Sequence, residues 1–210
     1  MVKRTLTALI IALTFISTFA SACLDVGCYE QHFITTSPNS MRITKDNDLF
    51  GEDFFFEDAI RGITSTVYKS KFRVFRSYEL YNSDGFWDAT AKFTWSSYLP
   101  FTLSFYWHEY YVNDSTGTHL GDIKATLLTV KDAKLYLQNK DGRYVAQATL
   151  NKATGELRIA AYENPRIQIA SLKRSSGGHE KWSLNLLRPE LVDQRLIKLL
   201  ATIVIDTYPI

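Results

Sequence analysis

Near its C-terminus the chain reads ELVDQRLIKLLATIVID, residues 190–206. From Leu196 to Ile205 only Lys198 and Thr202 interrupt the apolar side chains. A helix that is apolar nearly all round has no face to offer to water, so it must be covered on every side. The run is short for a bilayer span of about 20 residues, and Asp193, Arg195 and Lys198 interrupt it. Pro189 stands where a helix starts readily, because the first turn does not need its N–H. The pattern predicts a helix over residues 190–206 that the remainder of the chain must wrap.

That remainder reads as strands. From residue 64 onward, alternating runs such as YELY, WDATAKF, DIKATLLTV, AKLYLQ, YVAQATL, ELRIAAYE, RIQIASLK and KWSLNLL are separated by short turn signals. Spacing of this kind predicts a mainly β sandwich or barrel, here of about ten to twelve antiparallel strands. One buried helix among many strands favours the closed barrel with the helix along its axis. Closure also removes sheet edges that would template aggregation.

One hairpin occurs twice. Leu80, Asn82, Asp84, Gly85, Ala89 and Ala91 recur in step as Leu137, Asn139, Asp141, Gly142, Ala146 and Ala148. Asp-Gly between alternating runs is a strong hairpin signal, because glycine accepts the positive φ of a tight turn. The recurrence suggests a barrel of two similar halves; the plainer explanation is that strand–turn–strand units share a vocabulary.

The N-terminus has the form of a secretory signal. Lys3 and Arg4 precede an apolar stretch from Leu6 to Phe19, and Ala20-Ser21-Ala22 offers a small-residue cleavage site. Residues 1–22 are therefore read as a signal peptide, 23–60 as an N-terminal arm and 61–210 as the barrel domain. Cleavage would leave Cys23 first. Two fates compete for it: lipidation, as in a bacterial lipoprotein, or a small disulfide loop with Cys28 in an oxidising compartment. Either predicts an exported chain, periplasmic or membrane-anchored in the first case and otherwise secreted. Removing Lys3 and Arg4 from 24 basic residues leaves 22, equal to the 22 acidic ones. A neutral chain carries no electrostatic footprint for nucleic acid.

The order of these parts resembles a known family. YELYNSDG, then HLGDI with Gly121, then LYLQNKDGRYVA, then KWSLNL leading into VDQRLIKLLATIVIDTY is similar to the LURP-one-related proteins of the tubby-like superfamily, which also contains phospholipid scramblases. The resemblance spans residues 64–210. It implies a barrel of about a dozen strands around a C-terminal hydrophobic helix, with no established enzymatic chemistry and with action at membrane lipids. No family binding residue maps cleanly onto this chain, and the signal peptide departs from the mostly cytosolic family.

Chemistry-bearing residues are sparse. Asp46, Asp48, Gly51 and Glu57 match an EF-hand loop at its first, third, sixth and twelfth positions, but Phe50 stands where an oxygen ligand belongs. A solvated acidic segment is the favoured reading, with no metal and no cofactor. His108-Glu109 lacks the second histidine of a zinc protease motif. His32, His108, His119 and His179 are scattered, and no Ser-His-Asp set is readable. Lys173, Arg174, His179 and Lys181 flank the Gly177-Gly178 turn and form a candidate headgroup site, each fixed cation contributing about 1 kcal/mol near an anionic membrane.

The function expected from the sequence is that of a non-catalytic, exported, membrane-associated binding or scaffold module. Its partner would be membrane lipid or an envelope protein. The alternatives are a lipocalin-like carrier of an apolar ligand and, less favoured, a hydrolase. The helix separates the first two, because a helix inside the barrel leaves no cargo space.

Overall fold

A computed structural model describes residues 39–71, 76–94, 108–126, 132–175 and 181–208. Cys23, Cys28, His179 and the signal-like segment lie outside the described residues. Twelve strands and one helix follow in chain order. The strands are β1 (Ser40–Asn47), β2 (Gly51–Asp58), β3 (Gly62–Ser70), β4 (Ser77–Asn82), β5 (Trp87–Phe93) and β6 (His108–Asp114), then β7 (His119–Thr126), β8 (Asp132–Asn139), β9 (Tyr144–Asn151), β10 (Glu156–Ala161), β11 (Gln168–Arg174) and β12 (Lys181–Leu186). The helix, α1, spans Gln194–Thr207.

Each strand pairs antiparallel with its sequence neighbours, and β1 closes on β12 through Met41 opposite Leu184 and Ile43 opposite Trp182. The result is the predicted closed antiparallel barrel with a C-terminal helix. Alternation drives it: in β9, for example, Ala146, Ala148 and Leu150 point inward while the residues between them face out.

The barrel begins earlier than the sequence suggested. Residues 40–58, read as part of an N-terminal arm with room for one or two strands, supply β1 and β2, and without them the wall would not close. Their alternation is masked because Lys45 and Glu52 take inward positions beside Ile43 and Phe54.

The repeated hairpin has a local explanation. Asn82 Oδ1 accepts from Asp84 N and Phe86 N, and Gly85 N donates to Asn82 O. Asn139 makes the equivalent bonds with Asp141, Arg143 and Gly142. Asp114, Thr116, Thr118 and Gly117 build the same turn a third time between β6 and β7. The repeat maps β4–β5 onto β8–β9, four strands along, whereas two halves of twelve strands would be offset by six. Shared turn chemistry, a type I turn closed by a left-handed glycine, accounts for it better than duplicated halves. The alanines of the motif also share a task. Ala89, Ala91, Ala146 and Ala148 are wholly buried and leave the axis free for α1.

Helix α1 starts at Gln194, later than Pro189 suggested, because Asp193 is the N-cap and accepts from Arg195 N at 2.9 Å. Residues 187–193 instead carry the chain from β12 to the axis. Leu196, Ile197 and every residue from Leu199 to Ile205 are buried, so the helix is covered on all faces. Lys198 is half-buried, its Nζ 5.9 Å from the centre of the buried Phe56 ring, and burial lowers its pKa. Among the described residues no helix is long and apolar enough to cross a membrane.

Gly121 holds one close backbone approach. Its φ is +151°, and a Cβ there would collide with the backbone carbonyl of Gln138 on β8. Gly121→Ala is expected to cost about 2–3 kcal/mol in urea unfolding. Gly142→Ala, with open space around its Cβ position, should cost about 1–2 kcal/mol, the left-handed penalty alone.

Candidate functional site

The inward-facing positions of β1 to β4 are apolar, Ser65 on β3 excepted, until the end of the barrel where α1 finishes. There the sequence changes character on each strand: Ile43 gives way to Lys45, Phe54 to Glu52, Val67 to Lys69 and Leu80 to Tyr78. Asp206, in the last turn of α1, enters this ring. Lys69 Nζ lies 2.7 Å from Asp206 Oδ1 and 3.0 Å from Glu52 Oε2. Lys45 Nζ reaches the same two carboxylates at 3.8 and 3.3 Å. Tyr78 Oη donates to Asp206 Oδ2 at 2.5 Å. The Asp206 side chain is only 5% exposed, so these partners stand in for water.

The electrostatics follow from burial and pairing. Asp206 sits at the negative end of the helix dipole, an unfavourable place for an anion. Burial raises its pKa, but the hydrogen bonds from its neighbours and the Lys69 charge prevail, and the carboxyl is held below the ordinary range. Burial pushes the Tyr78 hydroxyl far up, with the charges of Tyr110 and Asp206 adding to it. Tyr110 is raised as well, chiefly by burial, despite the nearby Arg76. Its hydroxyl makes no hydrogen bond of ordinary geometry. These groups therefore keep one protonation state across neutral pH. What the layer does is fasten four strands to the end of the helix.

Beside it, Tyr110, Ile123, Ala125, Leu135, Ile203, Thr207 and Tyr208 line a narrow crevice between α1 and the wall, with no room for a water-sized sphere. Tyr208 closes the helix by donating its N–H to Val204 O, and burial pushes its phenol up to about 12.

The sequence-predicted residues lie elsewhere. Lys173 and Arg174 end β11 and Lys181 begins β12, at the same end of the barrel as Asp206. Lys173 and Lys181 are exposed on the outer face; Arg174 alternates toward the inner rim. Lys173 pairs with Glu156 at 3.2 Å, an exposed contact of small energetic weight. Asp46, Asp48 and Glu57 fall on the β1–β2 hairpin. The Asp48 carboxylate is occupied by Phe50 N and Gly51 N, at 2.6 and 2.5 Å. Glu57 stands opposite Arg42, six strand residues beyond Gly51, or about 20 Å along the chain. The EF-hand spacing thus meets a hairpin rather than a loop. Among the described residues no group of three or more His, Cys, Asp or Glu is arranged to hold a metal ion.

The ring of Lys45, Glu52, Lys69 and Asp206 was missed from sequence. The available signal was a charge in phase with an apolar alternation, in Ile43-x-Lys45 and Glu52-x-Phe54-x-Phe56.

This architecture has a solved counterpart. A protein of Arabidopsis thaliana, determined by X-ray crystallography, superposes with a TM-score of 0.55 over 81% of this chain and 93% of that chain, at 14% sequence identity. A likeness at that identity is one of fold. No protein-family model matches the chain, and no curated protein matches it.

Proposed function

We propose that this chain is a non-catalytic, exported binding module, a LURP-one-related member of the tubby-like superfamily, that works at a membrane surface. The observation that carries this reading is the buried helix. With α1 buried among the strands and no water-sized space in the crevice between it and Tyr110, Ile123 and Leu135, recognition is assigned to the outside of the barrel rather than to an enclosed cargo.

The charge on one sector of that outside supports an anionic partner. At the end of the barrel where α1 finishes, Lys152, Lys173 and Lys181 lie on or beside β9 to β12, with Arg174 at the inner rim beside them. Glu156 is the one carboxylate among the described residues of that sector's end. The order of sequence motifs and the shared fold support the family reading. The signal-like N-terminus with Cys23 supports export and a second attachment to the bilayer, which stable anchoring requires.

Co-sedimentation with liposomes tests this function. Wild-type protein should pellet with vesicles containing anionic phospholipid and stay in solution with purely zwitterionic ones. Lys173→Glu and Lys181→Glu should each weaken binding roughly fivefold or more, from about 1 kcal/mol per cation. Equal pelleting of both variants and the parent would remove the β11–β12 turn from the proposal.

A further inference from the structure

The outer wall carries a separate constellation, on β6 and β7. Residues three apart on a regular strand point to opposite faces. His119 and Asp122 do not: His119 Nε2 lies 3.7 Å from Asp122 Oδ1. A bulge brings them together. The register slips between Val112 and Asn113, so that Val112 stands opposite Gly121 and Asn113 opposite His119, with Leu120 extra. Bulges of this kind re-aim side chains and gather beside functional sites. Gly121 is what allows it, at a φ and a backbone contact that no other residue fits.

Two acceptor atoms here are buried without a hydrogen-bond partner, Asn113 Oδ1 and Asp122 Oδ1; His119 Nδ1 also has none, but it lies on the ring edge away from Nε2, the nitrogen that faces Asp122. Buried polar groups are nearly always satisfied, and a cluster of orphans calls for a missing ligand. Asn113 Oδ1 and Asp122 Oδ1 are both acceptors only, so the ligand must be positive or a donor. The one ammonium close by is engaged, since Lys124 Nζ contacts Glu109 at 2.8 Å. The imidazole is also held in place, with the Tyr111 ring stacked on it at 3.9 Å and 12°.

The separation of the pair narrows the choice. At 3.7 Å it is too long for a direct hydrogen bond. Two donors sharing one zinc ion, at about 2.0–2.2 Å each and a tetrahedral angle, stand about 3.4 Å apart. We propose that His119 and Asp122, with Asn113 as a third donor, bind a divalent first-row transition-metal ion of the zinc class. An imidazole, a carboxylate and an amide oxygen suit such an ion better than calcium or magnesium, which take oxygen donors alone. With the side chains 22% and 14% exposed, the ion is reached from solvent, and water fills its remaining positions.

Isothermal titration of untagged protein with Zn²⁺ is the test, run beside His119→Ala and Asp122→Asn. The parent should bind one equivalent that both variants lose or hold at least tenfold more weakly, whatever the N-terminal cysteines bind. Both side chains face outward, and thermal unfolding checks that the variants fold. In the parent alone, zinc should move the assigned ring-nitrogen NMR signals of His119 and leave those of His108 unmoved. Absence of zinc binding, equal binding in parent and variants, or an unmoved His119 ring overturns the site.

Discussion

A chain ended after Val192, lacking α1, is expected to show no cooperative unfolding transition in urea. Seven large apolar side chains, Leu196, Ile197, Leu199, Leu200, Ile203, Val204 and Ile205, are buried by this one helix. At about 1.5–3 kcal/mol each, their burial contributes roughly 10–20 kcal/mol before chain entropy is subtracted. A domain's whole net stability is about 5–15 kcal/mol. The wall loses as much, because the inward alanines on β5 and β9 cannot fill the vacated axis. Far-ultraviolet circular dichroism against urea, with dye binding to exposed apolar surface, reads the result. A sharp transition in the truncated chain would show that the wall stands by itself, and the account of the interior would fail. A milder version, Leu200→Ala, removes a fully buried side chain and should cost about 2–5 kcal/mol.

The helix was readable because its composition admits one environment only. Ten consecutive positions with two interruptions cannot be solvated on any face, so burial follows without knowledge of the partner. The hairpins were readable for a similarly local reason: Asp84-Gly85 and Asp141-Gly142 need a left-handed residue, and glycine accepts φ values of 77° and 74° there. The third copy escaped notice because Asp114 replaces asparagine and Thr116 stands where the other two have aspartate. Its carboxylate oxygen accepts the same two backbone N–H groups as the asparagine amide does.

The first two strands were harder to read because their charges serve different needs. In KDNDLFGEDFFFED some charges face water and others face the axis. Asp46 stands opposite Asp53 across the hairpin. Burial, with repulsion from Asp48 and Asp46, raises the Asp53 carboxyl. Lys45 and Glu52, by contrast, point inward to a partner that arrives at residue 206. Only their phase separates the two kinds, since Lys45 and Glu52 continue the apolar alternation and Asp46 and Asp53 do not. Phase misleads for His119 and Asp122: their spacing on a strand predicts opposite faces, and only the bulge opposite β6 reverses that. Contacts set by closure of the whole barrel leave no local trace of their partner, whereas turns and burial are written locally.

Asp206→Ala should therefore destabilise the protein by about 3 kcal/mol, at the lower end of what breaking a buried ion pair costs. The loss strands Lys69, Lys45 and the Tyr78 hydroxyl, but Glu52 remains within 3.0 and 3.3 Å of the two lysines and limits the damage. The pH dependence identifies the carboxylate as the cause. The folded chain keeps Asp206 ionised at lower pH than the unfolded chain does, so below about pH 4 the unfolded state binds the additional proton. Stability from this group is complete above that range and drains away as pH falls through its depressed folded value. Urea midpoints measured from pH 7 down to pH 2.5 should fall more steeply for the parent than for Asp206→Asn, with the two curves converging in acid. Parallel curves would mean that the carboxylate is not what fastens the helix. Replacing the ring as a unit, with Asp206→Leu, Lys69→Met, Lys45→Met and Glu52→Leu together, should recover most of the lost stability, because an apolar plug of similar volume incurs no desolvation penalty. Recovery of stability with unchanged liposome binding would assign the ring to the fold alone; recovery with lost binding would make it part of the lipid-facing surface.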